Sequence, residues 1–356
     1  MIRILIVEDS QVVALLLKAL LEQEVDITVV GHAKNGQEAV EMVKTLRPDL
    51  ITLDIRMPIM DGFEATRLIM STRPTPIVVV SSSVDDEELS ITFRAIEEGA
   101  LAVIEKPRGM HHPDFNAIRS HLIDTIRAMS EIKLVRRYLH RRPTSPTPPA
   151  ITPPHVAPHP FAPPISGFFK MVALACSTGG PQALHHIFSN LPGDLPFPVL
   201  VVQHISPGFV GGLCSWLDGA SQLRVKLAEE GEVPLPGTVL IAPDSYHMVL
   251  KRDLSGLSIA LNATPPVNGF RPSASPLFRS LAEHLPGQSV GGILTGMGHD
   301  GAEGLLAMHR AGCHTFAEDE KSAIVYGMPA EALAIGATKT ALPLESIASH
   351  LESLIK

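Results

Sequence analysis

Short apolar runs alternate with amphipathic segments through the first 105 residues of the chain. The apolar runs are typical of buried strands, and the segments between them carry apolar residues at helical spacing. The predicted strands cover residues 2–7, 27–32, 50–53, 77–81 and 102–105, and the predicted helices cover residues 12–23, 36–46 and 86–99. Strands that alternate with helices in this way form a doubly wound parallel sheet.

The second half of the chain repeats the alternation. Strands are predicted at MVALAC (171–176), PVLVVQH (198–204), TVLIAP (238–243) and VGGILTG (290–296). Helices are predicted at PQALHHIFSNL (181–191) and GAEGLLAMHRAG (301–312). We therefore expect two α/β domains with doubly wound parallel sheets, whose binding sites lie at the carboxyl ends of the strands.

A segment of different composition separates the two patterned regions. Residues 141–166 read RRPTSPTPPAITPPHVAPHPFAPPIS, and proline at this density excludes helix and sheet interiors. A semi-rigid spacer is expected, with a docking site for a proline-recognising domain as the alternative. The expected organisation is a first domain over residues 1–125, a helix end and linker over 126–167, and a second domain over 168–356.

Charge and cysteine content narrow the class of protein. The net charge of -8 argues against a general nucleic-acid binder. The three cysteines are widely spaced and odd in number, which fits a reducing compartment. The opening MIRILIVEDS has too short an apolar run for a signal peptide, and no stretch is long enough for a membrane span. We expect a cytoplasmic protein without membrane insertion.

Five polar side chains follow the predicted strands of the first half. Glu8 and Asp9 end the first strand, Asp54 the third, Ser81 the fourth and Lys106 the fifth. Carboxylates gathered at one sheet edge repel each other unless a cation lies among them, and oxygen ligands suit Mg²⁺. A carboxylate beside Mg²⁺ can attack a phosphoryl group, while a lysine and a hydroxyl hold the transferred oxygens.

The stretch MVALACSTGGPQALHHI (171–187) allows two interpretations. Ser177 and Thr178 follow a strand and precede two glycines and a proline, which is typical of a capped helix start. The alternative is a serine nucleophile at a helix N-terminus, where backbone N–H groups stabilise an anion. Such a serine needs a base and an orienting carboxylate, and His204 and Asp300 follow two other predicted strands.

Other histidines leave alternatives open. His185 and His186 lie within a predicted helix, and His247 follows IAPDSY, where it could line a cleft and contact substrate. Asp300 precedes a predicted helix and could simply cap it. The histidines are too scattered for the tight ligand spacing of a zinc site.

The first half resembles the receiver domain of two-component response regulators, through ILIVEDS, DLITLDIRMPIMDGFEA, VVVSSS and VIEKP. The resemblance covers about residues 1–125 and implies a flavodoxin-like fold. It implies that Asp54 accepts the phosphoryl group, that Glu8 and Asp9 hold Mg²⁺, and that the backbone carbonyl of Arg56 is a further ligand. Mg²⁺ is expected in the receiver alone.

The same resemblance makes Ser81 the switch hydroxyl and Lys106 the contact to the phosphoryl group. One position departs from the family pattern. Receivers often carry an aromatic residue three positions before the lysine, and this chain has Val103. The usual rotamer switch is therefore not expected to transfer directly.

The second half resembles the protein-glutamate methylesterase domain of bacterial chemotaxis, which implies a Rossmann-like fold. The motifs that carry the resemblance are ACSTGGPQAL, VVQHISPGF, EGEVPLPGTVLIAPDSYHM, PPVNGFRPSASPLF, GGILTGMGHDGAEGL and YGMPAEA. The resemblance implies that Ser177 is the nucleophile, His204 the base and then acid, and Asp300 the orienting carboxylate. Thr178 would align the site, and the backbone N–H of Met297 would contact the oxyanion.

The two resemblances together imply a function. The expected reaction removes γ-methyl esters from glutamates of methyl-accepting chemotaxis receptors, with glutamine deamidation as a second reaction and no cofactor for either. The expected phosphodonor is a chemotaxis histidine kinase, and the unphosphorylated receiver is expected to cover the esterase cleft. The alternatives are a non-catalytic binding module and, because of the basic KLVRRYLHRRP (133–143), a DNA-binding regulator.

Overall fold

The structure is a computed structural model that describes residues 1–81, 93–107, 115–132, 169–254 and 256–355. The proline-rich linker, the basic segment at 133–143 and the beginning of the helix predicted over 86–99 lie outside these residues. The described chain forms two α/β units, one before and one after the linker.

The first unit contains a five-stranded parallel sheet. Its strands are β1 (Ile2–Val7), β2 (Ile27–Ala33), β3 (Leu50–Leu53), β4 (Ile77–Ser81) and β5 (Ala102–Glu105). They are arranged in the order β2-β1-β3-β4-β5. The order reverses between β1 and β3, so the carboxyl ends of these two strands flank a crevice.

Helices cover both faces of this sheet. They are α1 (Gln11–Leu21), α2 (Gly36–Leu46), α3 (Gly62–Thr72) and α4 (Phe115–Ser130), and residues 93–97 are also helical. Side chains of α1 and α4 pack on one face of the sheet, and those of α2 and α3 pack on the other. Ser10, Asn35 and Asp61 cap the first three helices, because each side chain accepts an N–H from the first turn.

The second unit is built on a seven-stranded parallel sheet. Its strands are β6 (Met171–Cys176), β7 (Val199–Gln203), β8 (Arg224–Leu227), β9 (Thr238–Ile241), β12 (Ser289–Ile293), β13 (His314–Glu318) and β14 (Ala341–Leu342). The order is β14-β13-β12-β6-β7-β9-β8. The strand β10 (His247–Asp253) pairs with β11 (Gly256–Asn262) in a separate antiparallel hairpin.

Six helices surround the larger sheet. They are α5 (Gly180–Asn190), α6 (Val210–Ala220), α7 (Ala274–His284), α8 (Ala302–Arg310), α9 (Met328–Ala334) and α10 (Leu344–Ser353). Alternate residues of β6 face opposite sides of the sheet. Val172 and Leu174 pack with α5, α6 and α10, whereas Ala173 and Ala175 pack with α7, α8 and α9. The central strand β6 is therefore buried on both faces, as a parallel sheet requires.

The predicted fold class of two doubly wound parallel sheets is confirmed. Five strands of the larger unit were not predicted: the edge strands β8 and β14, the inner strand β13, and β10 and β11 of the hairpin. β8, β10, β11 and β14 are short or partly exposed. β13 is buried, but its sequence HTFAE contains only two apolar residues and so lacks the apolar run of the central strands.

The two units contact each other through an aromatic patch. Trp216 on α6 donates its indole N–H to Glu97 of the first unit, with 2.7 Å between Nε1 and Oε1. The same indole stacks on Phe93 of the first unit at 5.6 Å between ring centroids. On its own side it stacks on His185 at 4.6 Å, so this helix histidine supports the interface.

Candidate active site

Ser177 lies immediately after β6, beside the point where the strand order of the larger sheet reverses. Its backbone N–H donates to the carbonyl of Thr295, at 3.0 Å, which follows the neighbouring β12. Gly179 adopts a left-handed conformation, with φ of 80°, and is the N-cap of α5 without any side-chain cap bond. The expected capped helix start is therefore present with glycine as the cap, and neither Ser177 nor Thr178 caps the helix through its side chain.

Two glycines let other chain segments approach Ser177. A Cβ atom at Gly296 would lie 2.8 Å from the Cβ of Ser177 and 2.3 Å from the sulfur of Met328. A Cβ atom at Gly180 would lie 2.0 Å from the side-chain oxygen of Gln203. Because real Cβ atoms do not come so close to other atoms, both positions require glycine for this packing.

Gln203 joins the ends of the two strands that precede Ser177 and His204. Its Nε2 donates to the carbonyls of both residues, at 2.8 Å each. Its Oε1 accepts the thiol of Cys176, at 3.0 Å. Gln203 is buried, so these bonds are made without competition from solvent and fix the spacing between the two strand ends.

His204 follows β7 and faces Asp300. The distance from its Nε2 to Oδ2 of Asp300 is 2.9 Å. Its ring stacks on Phe270 with 4.0 Å between centroids and 4° between planes. The carboxylate can only accept, so Nε2 carries a proton, and the neutral ring then has its lone pair on the buried Nδ1, which has no partner among the described residues. This is the tautomer that a general base needs.

Asp300 is fully buried and accepts several hydrogen bonds. Besides His204, its short-range donors are the hydroxyl of Ser273 at 2.6 Å and the backbone N–H of Ala274 at 2.8 Å. Longer bonds, of 3.4 Å each, come from the side chains of Asn268 and Ser275. Burial alone would raise the pKa of this carboxyl, but these bonds outweigh burial and lower the pKa to about 2. Asp300 does not cap the helix that follows it, because Gly301 is the N-cap of α8 without a side-chain bond.

A small cavity connects the serine with the histidine. Ser177, Thr178 and His204 line a space of about 30 Å³. No hydrogen bond joins Ser177 to His204 among those of the described residues, and such contacts often tighten only when substrate binds. The carbonyl of Thr178 accepts the hydroxyl of Thr295 at 2.9 Å, so Thr178 is held to β12 through its backbone.

Residues of the first unit close the same cavity. Val103 of β5 and His121 and Thr125 of α4 line it opposite Ser177. Burial lowers the pKa of His121, Asp124 opposes this, and nearby His204 lowers it further. The departure from the receiver pattern at Val103 therefore lies at the contact between the two units.

Met297 lies in the turn after β12 and is partly exposed. Its backbone N–H takes part in none of the hydrogen bonds found among the described residues. The turn is held by Gly296, whose carbonyl accepts the N–H groups of Gly327 and Met328 at 3.1 and 2.8 Å. An amide on a fixed turn beside Ser177 can donate to an oxyanion.

The acidic cluster of the first unit forms at the crevice between β1 and β3. Carboxylate oxygens of Glu8, Asp9 and Asp54 lie within 4.8 Å of one another. Lys106 lies 2.8 Å from oxygens of both Glu8 and Asp54. Burial raises the pKa of Glu8 despite the hydrogen bond from Lys106. Three oxygen donors around one point fit a divalent cation such as Mg²⁺.

Two further predicted residues border this cluster. Ser81 is buried at the end of β4, and its carbonyl accepts the N–H of Lys106 at 2.8 Å. Arg56 lies two residues beyond Asp54 and its side chain is exposed. The switch role of Ser81 and the ligand role of the Arg56 carbonyl stay predictions.

Several residues that shape the site were not predicted. Gln203, Phe270 and Ser273 stood within the quoted motifs without an assigned role, and their contacts become visible only when distant strands meet. His247 is fully buried and bonded on both ring nitrogens, so it does not line a cleft and cannot contact substrate directly.

Fold and site define a class: a receiver-type unit joined to a parallel α/β unit that carries a serine beside a histidine-aspartate pair. The model of the CheB methylesterase family matches residues 172–351, and that of the response regulator receiver domain matches residues 4–112. The chain belongs to the CheB methylesterase family, with an amino-terminal receiver domain. No helix within the described ranges is long and apolar enough to cross a membrane.

Relatives support this assignment along the whole chain. A protein-glutamate methylesterase/protein-glutamine glutaminase of Nitrosospira multiformis is 45% identical over 100% of this chain and 97% of the relative. One of Myxococcus xanthus is 47% identical, also over 100% of this chain and 97% of the relative. The crystal structure of the Thermotoga maritima CheB methylesterase catalytic domain aligns with a TM-score of 0.51 and 38% identity, over 52% of this chain and 98% of that chain.

Proposed function

We propose that this protein hydrolyses γ-methyl esters of glutamates on chemotaxis receptors, under the control of receiver phosphorylation. The observation that carries the proposal is the histidine-aspartate pair beside Ser177. The pair lies at the edge of the larger sheet, in the part of the chain that the methylesterase family model matches. The same acyl chemistry acts on an amide, so we extend the proposal to deamidation of glutamines. The names of the relatives, which join both activities, support this extension.

The first half-reaction forms an acyl-enzyme. The Oγ of Ser177 attacks the ester carbonyl, and its proton passes to Nδ1 of His204. The resulting imidazolium is stabilised by Asp300 through the bond at Nε2, which measures 2.9 Å. The N–H of Met297 donates to the oxyanion, whose collapse breaks the ester bond, and methanol leaves with the proton from His204.

The second half-reaction reverses these roles with water. His204 takes a proton from water, whose oxygen attacks the acyl carbon, and the bond to Ser177 breaks with return of the proton to its Oγ. The products are a free glutamate carboxylate and a proton released to solvent. For a glutamine substrate the leaving group of the first half-reaction is ammonia.

The receiver domain supplies the control. Asp54 would accept a phosphoryl group from a histidine kinase, with Lys106 and Ser81 positioned to contact its oxygens. Glu8, Asp9 and Asp54 would hold Mg²⁺, together with the carbonyl of Arg56. The ion, when bound, neutralises the charge of the phosphoryl oxygens.

The arrangement of the two units supports inhibition in the unphosphorylated state. Val103, His121 and Thr125 of the receiver line the same cavity as Ser177 and His204, so the receiver occupies the space beside the catalytic serine. A receiver in this place obstructs the approach of a polypeptide substrate to Ser177, and its displacement would open that approach. A tenfold rise in the open population requires about 1.4 kcal/mol, which is a modest change at one interface.

The proposed domain boundaries remain residues 1–125 for the receiver, 126–167 for the helix end and linker, and 168–356 for the methylesterase domain. The matches of the two families, over residues 4–112 and 172–351, agree with a division in this region.

Deletion of residues 1–165 tests the inhibition by the receiver. Methanol release without phosphodonor should rise, and unchanged release would contradict inhibition by the receiver.

The catalytic assignment is tested by methanol release from membranes that carry methyl-labelled receptors. Ser177→Ala, His204→Gln and Asp300→Asn should each abolish most of the release, in the order of their distance from the reacting bond. Ser189→Ala on the same helix α5 is the matched control, because its hydroxyl donates to the carbonyl of His186 and has no bond to the catalytic residues within the described part of the chain. Release that persists in Ser177→Ala would favour a different nucleophile, whereas no release by the wild type, even after deletion of residues 1–165, would favour a non-catalytic binding module.

A further inference from the structure

His247 is a buried titratable residue that the proposed reaction does not use. It begins β10, and its side chain is fully buried. Its Nδ1 lies 3.1 Å from the backbone nitrogen of Ser273, and its Nε2 lies 3.2 Å from the carbonyl of Pro265. A backbone N–H can only donate, so Nδ1 must be unprotonated, and Nε2 then donates to the carbonyl. The geometry thus fixes one neutral tautomer.

Ser273 is held by this histidine and in turn holds Asp300. Its backbone N–H donates to His247, and its hydroxyl donates to Oδ1 of Asp300 at 2.6 Å. It is also the N-cap of α7, where its oxygen accepts the N–H of Ser275 at 3.3 Å. The next amide along the chain, that of Ala274, donates to Oδ2 of Asp300 at 2.8 Å.

These contacts form one continuous chain of hydrogen bonds that ends at the proposed general base. It runs from His247 through Ser273 and Asp300 to His204, and the first three of these side chains are fully buried. Water cannot replace a lost partner at such depth without a cavity to hold it. A shift of Ser273 would therefore rotate the carboxylate that presents Oδ2 to the imidazole.

We propose that His247 and Ser273 are positioning residues for the methylesterase reaction, which together fix the Asp300 carboxylate toward His204. The proposal rests on the proposed catalytic roles of Ser177, His204 and Asp300. It assigns to His247 an action through Nδ1 alone, because only that nitrogen contacts Ser273. The bond from Nε2 to Pro265 anchors the ring and is expected to matter less.

Two substitutions at the same position separate the two nitrogens. In His247→Asn the amide oxygen takes the place of Nδ1, so the acceptor for the Ser273 N–H is kept. In His247→Gln the longer amide reaches the place of Nε2, so the bond to Pro265 is kept and the acceptor for Ser273 is lost. Both variants bury an amide of similar polarity, but asparagine is one methylene smaller, so a merely structural requirement for bulk would impair His247→Asn more than His247→Gln. The positioning role predicts the opposite order.

The assay is methanol release by the full chain from methyl-labelled receptor membranes, with an acyl phosphate phosphodonor and Mg²⁺. The receptor concentration is varied to separate kcat from KM. Ser273→Ala and His247→Gln should lower kcat by about tenfold to 100-fold with little change in KM, as expected for a misplaced catalytic group. His247→Asn should stay within about threefold of the wild type on the same scale.

Ser280→Ala is the matched control on helix α7. Its buried hydroxyl bonds to the backbone at Leu250 and Leu277 and does not reach Asp300, so kcat should be unchanged even where stability falls. A spectroscopic readout accompanies the kinetics. The downfield proton NMR signal of the His204–Asp300 hydrogen bond should shift or broaden in Ser273→Ala and His247→Gln, and persist in His247→Asn and Ser280→Ala.

Equal loss of kcat in His247→Asn and His247→Gln would overturn the positioning role, as would normal kcat in Ser273→Ala. Ser273→Ala leaves His247 in place and decides the question if both histidine variants fail to fold. Ser177→Ala and Asp300→Asn are measured in the same series. Full activity in those two variants would contradict the proposed catalytic site itself, whereas their inactivity beside a normal Ser273→Ala would contradict only the positioning role.

Discussion

Glu318 offers a quantitative test of how burial shapes the second domain. It ends β13 with no exposed surface, and its carboxylate accepts the N–H of Thr295 at 2.8 Å and the hydroxyl of Ser322 at 3.1 Å. Burial is the dominant cause that raises the pKa of this carboxyl from 4.5 to about 7, against the two hydrogen bonds. The substitution Glu318→Gln keeps an acceptor for Thr295 and a polar partner for Ser322 but removes the charge.

The sign and size of the effect follow from linkage. Between pH 4.5 and about 7 the folded state binds more protons at Glu318 than the unfolded state, so its contribution to stability falls as pH rises. A shift from 4.5 to about 7 corresponds to about 3 kcal/mol, lost progressively across that window. Glu318→Gln should therefore stabilise the folded protein by about 3 kcal/mol at pH 8 and hardly at all at pH 4.5.

Urea unfolding at the two pH values measures this difference in free energy, followed by the fluorescence of Trp216 in the same domain. Glu320→Gln, an exposed acid two residues along, is the control and should change stability little at either pH. A gain in Glu318→Gln that is equal at both pH values would show that the charge is not responsible. A loss at pH 8 would refute the reasoning, because it would mean that the carboxylate is stabilising.

Three further substitutions test the interface, the site and an open position on a helix. Trp216→Phe keeps the stacking on Phe93 but removes the hydrogen bond to Glu97, which is worth about 0.5–1.5 kcal/mol. Basal methanol release without phosphodonor should therefore rise about twofold to tenfold. Unchanged release would mean that other contacts hold the receiver against the methylesterase domain. Gly180→Ala forces a Cβ atom to within 2.0 Å of the Gln203 oxygen and should cost about 1–3 kcal/mol of stability and lower kcat. Gly219→Ala on α6 meets nothing within 4 Å and should instead stabilise, by about 0.5–1 kcal/mol in urea unfolding.

Much of the fold was predictable because its central elements carry strong local patterns. The strands at 2–7, 50–53, 77–81 and 102–105 and the helix at 36–46 have the bounds predicted from apolar periodicity. The hairpin of β10 and β11 was missed, since it stands outside the main sheet and mixes charged and apolar residues. Apolar periodicity identifies strands that are buried in a large core more readily than strands that pair at the edge of a sheet or outside it.

The site residues that follow parallel strands directly were predictable from the sequence. The carboxyl ends of parallel strands lie at the same edge of a sheet, so His204 and Asp300 could be expected near Ser177. In the structure, His204 is hydrogen-bonded to Asp300. The positions of Gln203, Ser273 and His247 depend on contacts between segments 26 or more residues apart. Side chains that meet only through tertiary packing leave no local pattern in the sequence, so their roles required the structure.

The most direct test of phosphorylation-controlled ester hydrolysis compares methanol release by the wild type, Ser177→Ala and Asp54→Asn, with and without an acyl phosphate and Mg²⁺. The account predicts stimulated release by the wild type, almost none by Ser177→Ala, and basal release without stimulation by Asp54→Asn. Equal stimulation of Asp54→Asn, or undiminished release by Ser177→Ala, would contradict it.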